Sequence, residues 1–429
     1  MPLGVAKLTS LAKAAIAAPP TGGASFTAFS QLNGDSIFSA TYQGLAYCGE
    51  NSSGHPVFVS AYATTNRLTQ YAQMFSVDPA DGSITTGTKY TLASVASGNL
   101  LVGPSVTTER DGANIRQDLS ANDFIYFGWR LYPAHKVRAR CASYDLNNLT
   151  MSLGTEETFS DTFTARGQVA VSWTGSDVAV MSRGGNNNNF VLQANMARTS
   201  GTSLALTTSI NSGVSWGGWG FATLLGFKND RSVVTGVGNN NDRVQFAAYR
   251  KNSGSLVHYT QQIQEQNETN TRNISAYFNA TDSLINLRYE TQQTPANTQI
   301  EGVIINWQSG TTAPTITRTN QIEWYSTAVS RLMAINGTSD GEAYLGRRDQ
   351  ANLNDDIVFC KVTLSGTTIS KSTDKTISVP ANTRLGESHH NSNRMVSLSN
   401  GDEMWVTFFE NTLASARGDI MVVMNPDGL

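Results

Sequence analysis

Gln73-Met74-Phe75-Ser76-Val77, Asp78-Pro79-Ala80-Asp81-Gly82, Ser83-Ile84-Thr85-Thr86-Gly87-Thr88: two runs of residues that favour strands flank a polar turn. In the turn, Pro79 fixes φ, Gly82 permits φ > 0, and Asp78 and Asp81 can bond nearby backbone. The period of the flanking runs is near two, not 3.6, so they read as strands. Working outward, four strands are expected in this stretch: 36–42, 56–63, 71–77 and 84–91. Four antiparallel strands in a short module make one blade of a propeller, provided the module repeats.

The strand–turn–strand unit recurs along the chain. It returns as 140–145 with Asn147-Asn148 and 149–155, as 193–197 with Ser200-Gly201 and 203–206, and as 245–249 with Ser253-Gly254 and 256–259. Further copies are 302–307 with Ser309-Gly310 and 314–316, and 359–364 with Ser365-Gly366 and 368–370. A seventh third strand, Ile420–Met424, is followed by Asn425-Pro426-Asp427-Gly428. Ile84 and Ile369, which open the first and sixth fourth strands, are five steps apart, roughly 57 residues per module. A seventh fourth strand would start at about residue 429. The spare strand Ala24–Ser30 is therefore expected to complete the last blade and leave no open edge between last and first. The expected fold is all-β: a seven-bladed β-propeller over residues 24–429, closed by an N-terminal strand.

Residues 1–23 differ from this body. Leu3, Val5, Leu8, Leu11 and Ile16 recur at helical spacing, so a short amphipathic helical arm is expected, ended by Pro19-Pro20. Lys13 interrupts the apolar region and makes it too short for a secretory leader. The arm is read as an anchor that buries its apolar face on another subunit.

Only 15 % of residues are charged, below the usual quarter, and Asn, Ser, Thr and Gly take their place. Net charge is −3 with no basic stripe, which argues against binding nucleic acid through its backbone. No stretch is apolar for long enough to insert in a bilayer. Cys48, Cys141 and Cys360 fall in different modules without metal-ligand spacing and read as buried free thiols. No cofactor or metal is expected. The acidic pair Asp355-Asp356 lacks regular calcium-ligand spacing, so 347–356 reads as a solvated hairpin. His389 and His390 are adjacent and cannot share one strand face.

The candidate ligand rim comprises two asparagine runs, including Asn187, Asn188, Asn240 and Asn241, between second and third strands, together with Trp216 and Trp219. Asn suits tight hairpins, and Trp can either stack on a sugar or pack between blades. Arg138 and Arg140 share a strand face and could clamp an anion or bridge to neighbouring blades. Glu109, Asp111, Glu290, Glu323, Glu387 and Glu410 could supply a glycosidase pair, but spacing does not pair them. With no nucleophile-elbow or zinc motif either, no enzymatic activity is expected.

The modules at 56–92 and 123–159, and above all Leu149-Thr150-Met151-Ser152-Leu153-Gly154-Thr155, resemble the repeats of structural proteins of tailed, especially marine, bacteriophages. The opening Met1-Pro2-Leu3-Gly4 is similar to starts of such proteins. Modules five and six depart from the pattern by lacking its Gly-Thr ending. The resemblance implies a virion protein present in multiple copies, tail-associated in preference to capsid-associated, contacting other virion proteins through residues 1–23 and a host glycan or protein through the propeller. A capsid decoration protein, a secreted lectin and a glycan-cleaving enzyme are the alternatives.

Overall fold

The computed structural model describes residues 27–36, 43–110, 124–134, 136–158, 165–174, 178–184, 190–215, 223–227, 231–237, 244–252, 255–259, 271–278, 283–290, 298–308, 312, 314–325, 332–338, 341–348, 356–379, 383–385, 393–411 and 417–426. Among them there is no α-helix. The expected arm, 1–23, lies outside the described residues.

The first strand, β1 (Thr27–Ser36), is set apart from those that follow it. The next four pair in chain order as a sheet: β2 (Gly44–Glu50), β3 (Pro56–Ala63), β4 (Thr69–Val77) and β5 (Ile84–Ser94). A second sheet holds β6 (Leu100–Thr108), β7 (Phe124–Tyr132), β8 (Lys136–Asp145), β9 (Thr150–Leu153) and β10 (Glu157–Thr158). The third is β11 (Ala165–Trp173), β12 (Val178–Gly184), β13 (Phe190–Ser200) and β14 (Ser203–Ser215). The fourth is β15 (Thr223–Phe227), β16 (Arg231–Val237), β17 (Val244–Asn252) and β18 (Ser255–Tyr259). The fifth is β19 (Thr271–Phe278), β20 (Ser283–Glu290), β21 (Thr298–Asn306) and β22 (Thr315–Tyr325). The sixth is β23 (Leu332–Asn336), β24 (Glu342–Arg348), β25 (Ile357–Ser365), β26 (Thr368–Lys371) and β27 (Lys375–Ile377). The last comprises β28 (Thr383–Leu385), β29 (Asn393–Ser397), β30 (Glu403–Asn411) and β31 (Arg417–Met424).

β1 completes this last sheet. It runs antiparallel to β31, with Thr27 opposite Val423 and Ser30 opposite Ile420. The expected closing pair is therefore present, with a strand that extends to Ser36. The first strand of the opening module is corrected: it is Gly44–Glu50, not 36–42, of which Ser36 ends β1 and 37–42 lie outside the described residues. Gly44-Leu45-Ala46-Tyr47-Cys48-Gly49-Glu50 lacks Val, Ile and Thr and begins with glycine, so its strand signal is weak. Its glycine answers to packing: a Cβ on Gly44 would lie 2.8 Å from Val106 Cγ1.

The innermost strands touch one another in turn, from β2 through β6, β11, β15, β19 and β23 to β29, and β29 touches β2 again. The architecture is a β-propeller. These innermost strands are sheet edges, which must satisfy their backbone without a ladder partner. Side chains of β6 do this on both sides. The Val171 and Trp173 N–H groups donate to Ser105 Oγ (3.1 Å) and Thr107 Oγ1 (3.3 Å), and Thr108 Oγ1 donates to the Tyr47 carbonyl (2.6 Å). The spacing i, i+2 on one strand meets i, i+2 on the next, as two strands side by side require.

Apolar side chains fill the gaps between sheets. Phe58, Phe75 and Tyr47 pack against Val406, Ile420 and Val422 across the seam between last and first sheet. Tyr344, Phe359 and Trp405 stack in series between the sixth and last, with centroids 5.4 and 5.1 Å apart. Met395 and Met421 join that cluster.

The Gly-Thr ending also has a packing cause. A Cβ on Gly87 would sit 2.0 Å from the Leu149 carbonyl, and one on Gly154 2.4 Å from the Thr202 carbonyl. Each glycine admits the third-to-fourth-strand turn of the following sheet. In the fifth module, which lacks the ending, Asn320 meets the next sheet by a different chemistry. Its Oδ1 accepts the Ile369 N–H (2.7 Å) and its Nδ2 donates to the Ile369 carbonyl (3.1 Å).

The quoted turn forms as read. Asp78 Oδ1 accepts the Ala80 N–H (2.8 Å), Asp81 Oδ1 accepts the Ser83 N–H (2.8 Å), and Gly82 has φ 75°. The Ser83 contacts hold the Asp81 carboxyl below its ordinary pKa.

Candidate functional site

Strand direction defines two faces. Innermost strands begin on what we term the upper face and end on the lower. Second-to-third-strand connections therefore run at the upper face, and third-to-fourth turns at the lower.

On the lower face, carboxylates are absorbed in structure. Glu109, at the end of β6, is buried. Its Oε1 accepts from Tyr126 OH (2.6 Å) and lies 3.7 Å from Arg198 Nε of the next sheet. The Arg198 guanidinium in turn covers the Phe124 ring at 3.7 Å. Burial, reinforced by Glu109, pushes the Tyr126 phenol well above its usual range, so it stays a donor. A second lock joins the sixth and last sheets: Glu403 accepts from Tyr344 OH (2.6 Å) and from Thr338 Oγ1. The Glu403 N–H donates to Asn425 Oδ1 (2.9 Å).

The three cysteines are buried free thiols, as expected. Burial pushes the Cys141 thiol up to about 12; Arg198 opposes this shift and Glu109 adds to it. Burial and then Asp374 push Cys360 up as well. For such groups the unfolded state loses protons first, so stability falls as pH rises above about 9 and this loss continues towards 12. Iodoacetamide at pH 8 is expected to leave Cys48, Cys141 and Cys360 unmodified in the native protein and to label all three in urea. Rapid native labelling of Cys141, read by mass spectrometry, would contradict the burial.

On the upper face a cluster forms where the fifth and sixth sheets meet. Trp324 and Tyr325 end β22, Arg347 stands near the end of β24, and Lys371 and Asp374 follow from β26. Asp374 Oδ1 accepts from Trp324 Nε1 (3.0 Å) and from Lys371 Nζ. Among the described residues Asp374 Oδ2 has Arg347 Nη2 at 4.0 Å, an ion pair without a hydrogen bond. The guanidinium is centred 4.1 Å from the Tyr325 ring and 5.5 Å from the Trp324 ring. The Arg347 side chain is 6 % exposed, and its Nε and Nη1 have no hydrogen-bond partner among the described residues. The Asp374 side chain, 33 % exposed, forms the solvent side of the cluster.

This corrects the reading of 347–356 as a solvated hairpin. Arg347 and Asp356 are both buried, and Asp356 Oδ1 accepts the Val379 N–H (3.1 Å). Residues 349–355 lie outside the described residues.

Of the candidates from sequence, Asn187, Asn188, Trp216, Trp219, Asn240 and Asn241 all lie outside the described residues, as do Leu3, Val5, Leu8, Leu11 and Ile16. The same holds for Asp111, Glu387, His389 and His390. Arg138 and Arg140 do share a face, both half-buried between buried neighbours. Arg138 pairs with Glu156. Arg140 Nη1 donates to the Leu92 carbonyl of the preceding sheet at 2.8 Å, so Arg140 bridges between sheets whereas Arg138 pairs within its own. Glu290, Glu323 and Glu410 are on β20, β22 and β30 in different sheets. Among the described residues no three His, Cys, Asp or Glu side chains converge on a metal-sized site. No helix among them is long and apolar enough to cross a membrane.

No protein-family model and no curated protein matches the chain. Solved structures do match. The core factor of S. cerevisiae is 8 % identical with a TM-score of 0.52, over 94 % of this chain and 61 % of the other, so this chain spans about three fifths of its length. The NanB sialidase of Streptococcus pneumoniae follows at 8 % identity and TM-score 0.44, over 93 % of this chain and 70 % of the other. The α-L-arabinanase of Penicillium chrysogenum has 9 % identity and TM-score 0.40, over 93 % and 97 %. At these identities the likeness speaks to fold alone.

Proposed function

We propose that this chain is a non-catalytic attachment propeller of a bacteriophage particle, tail-associated, anchored by residues 1–23 and displaying its upper face. In this reading the seven sheets are seven blades and the β1–β31 pair is their closure. The observation that carries it is the polarity of the disc. β1 runs antiparallel to β31 and so starts, at Thr27, on the lower rim. The asparagine-bearing connections, 185–189 and 238–243, join strands whose described ends are on the upper face. Described strand ends that lead to the arm on one face and to the asparagine connections on the other suit a protein that is fixed at one side and touches a host at the other.

The buried carboxylates favour binding over catalysis. Glu109, Glu301 and Asp356, the buried acids among the described residues, are engaged with Tyr126 and Arg198, with Arg318 at 3.8 Å, and with the Val379 N–H. A glycosidase pair needs two carboxyl groups facing a common cleft.

Deleting residues 1–23 is expected to abolish incorporation into particles while the thermal melt of the purified chain stays unchanged. Incorporation at the wild-type level would sink the anchor. Immunogold label on tail tips supports attachment. Label over the capsid makes the protein a decoration, and no particle label returns the lectin and glycan-cleaving readings.

A further inference from the structure

The upper-face cluster between the fifth and sixth sheets carries two cations, Arg347 and Lys371, on one carboxylate, Asp374. Arg347, 6 % exposed, leaves Nη1 as well as Nε without an acceptor among the described residues, and buried donors of this kind call for a partner. Burial raises the cost of each unmade bond, and the cluster's net positive charge adds a demand for an anion. The demand is specific in shape. Arg347 offers donors in a planar fork, which matches a carboxylate. Beside it Asp374 Oδ2, whose only neighbour in the cluster is Arg347 at 4.0 Å, remains open to a hydroxyl donor. A group with an anionic carboxylate and a hydroxyl close by satisfies both at once.

We propose that Arg347, Asp374 and Lys371 form a subsite for the carboxylate of an acidic saccharide of the uronic-acid class. The carboxylate enters past Asp374, the exposed member, and bonds the Nη1–Nη2 edge of Arg347, whose Nη2 makes only the 4.0 Å ion pair. A sugar hydroxyl bonds Asp374 Oδ2, and Lys371 screens the two carboxylates from each other. Tyr325, whose ring already lies 4.1 Å from the guanidinium, lines one side. The biological meaning of this subsite rests on the attachment reading above, but its chemistry does not.

The test is calorimetric titration of the purified full chain with a galacturonate trimer, a neutral galactose trimer and acetate. The galacturonate trimer is expected to bind saturably and to weaken as salt rises, with the neutral trimer silent and acetate at least tenfold weaker. Arg347→Lys, which keeps charge but loses the fork, is expected to weaken binding about tenfold. Asp374→Asn removes a repelling charge, and the amide N–H that replaces Oδ2 can donate to the same sugar hydroxyl, so it is expected to tighten binding by about threefold. A residue with a merely structural role would give no tightening. Should Arg347→Lys fail to fold, the partly exposed Asp374 variant still decides the matter. No saturable binding of the galacturonate trimer, or weaker binding by a folded Asp374→Asn, overturns the subsite. Acetate equal to the trimer overturns the saccharide. Any of these failures alongside label on tail tips would leave the attachment reading intact, and binding without particle label would do the reverse.

Discussion

A chain that starts at residue 37 is expected not to fold to a monomeric propeller. Deletion of β1 leaves β31 as the outer edge of the last sheet. That strand is apolar throughout its far half: Ile420, Met421, Val422, Val423 and Met424 are each 2 % exposed or less. Losing the pairing from Thr27 to Gln31 and at Ser36 costs on the order of 5 kcal/mol, taking about 1 kcal/mol for each backbone hydrogen bond. That is comparable to the whole margin of an ordinary domain. Circular dichroism melts and size-exclusion chromatography of chains starting at residues 24 and 37 separate the arm from the strand. The longer chain should melt as wild type; the shorter should be aggregated or strongly destabilised. Appending 27–36 after residue 429 through a short linker should restore the melt. A stable monomer from residue 37 onward would refute the closure.

Gly87→Ala is expected to lose about 3 kcal/mol in urea denaturation, the cost of overpacking a rigid contact. The added Cβ would be 2.0 Å from the Leu149 carbonyl and 2.6 Å from its Cβ, so backbone of the adjoining sheet must move. Leu149 has little freedom to do so, since it already holds φ at 53° in its own turn. Gly54→Ala is the control: its φ is 77° but nothing lies within 4 Å of a Cβ. Its loss, from backbone strain alone, should be about 1 kcal/mol. Equal losses at the two positions would show that the contact between sheets is not what demands Gly87.

What the sequence disclosed was local chemistry. Turns such as 78–82 and 365–366 announce themselves because Pro, Asp and Gly set backbone angles within a few residues, and the paired strands follow from them. The completion of the last sheet by the N-terminal strand was legible from a missing partner at one end and a spare strand near the other. Gly44–Glu50 was not legible, because its identity as a strand comes from burial on both sides. The Gly-Thr endings were visible as a pattern but not as a cause, which lies in the neighbouring sheet. The Arg347 cluster was least accessible. Arg347 was in view but taken for hairpin, since Trp324, Tyr325, Lys371 and Asp374 converge on it only through the packing of two sheets. Ordinary surface arginines look the same on the page.

The β1–β31 pair also sets a timetable. Thr27 leaves the ribosome almost four hundred residues before its partner Val423, a wait of roughly 20 to 80 s at ordinary synthesis rates. During that interval the intermediate sheets can form from neighbours in sequence, while β1 waits without its partner strand. Closure is then a report that synthesis has passed β31. A ribosome that stalls anywhere before residue 417 releases a product with an unpaired strand at one end and an incomplete last sheet at the other. Two such products can satisfy each other, and nascent chains on one message lie close enough to try. Quality control of this protein is therefore a matter of when β1 and β31 meet as much as of how well they fit.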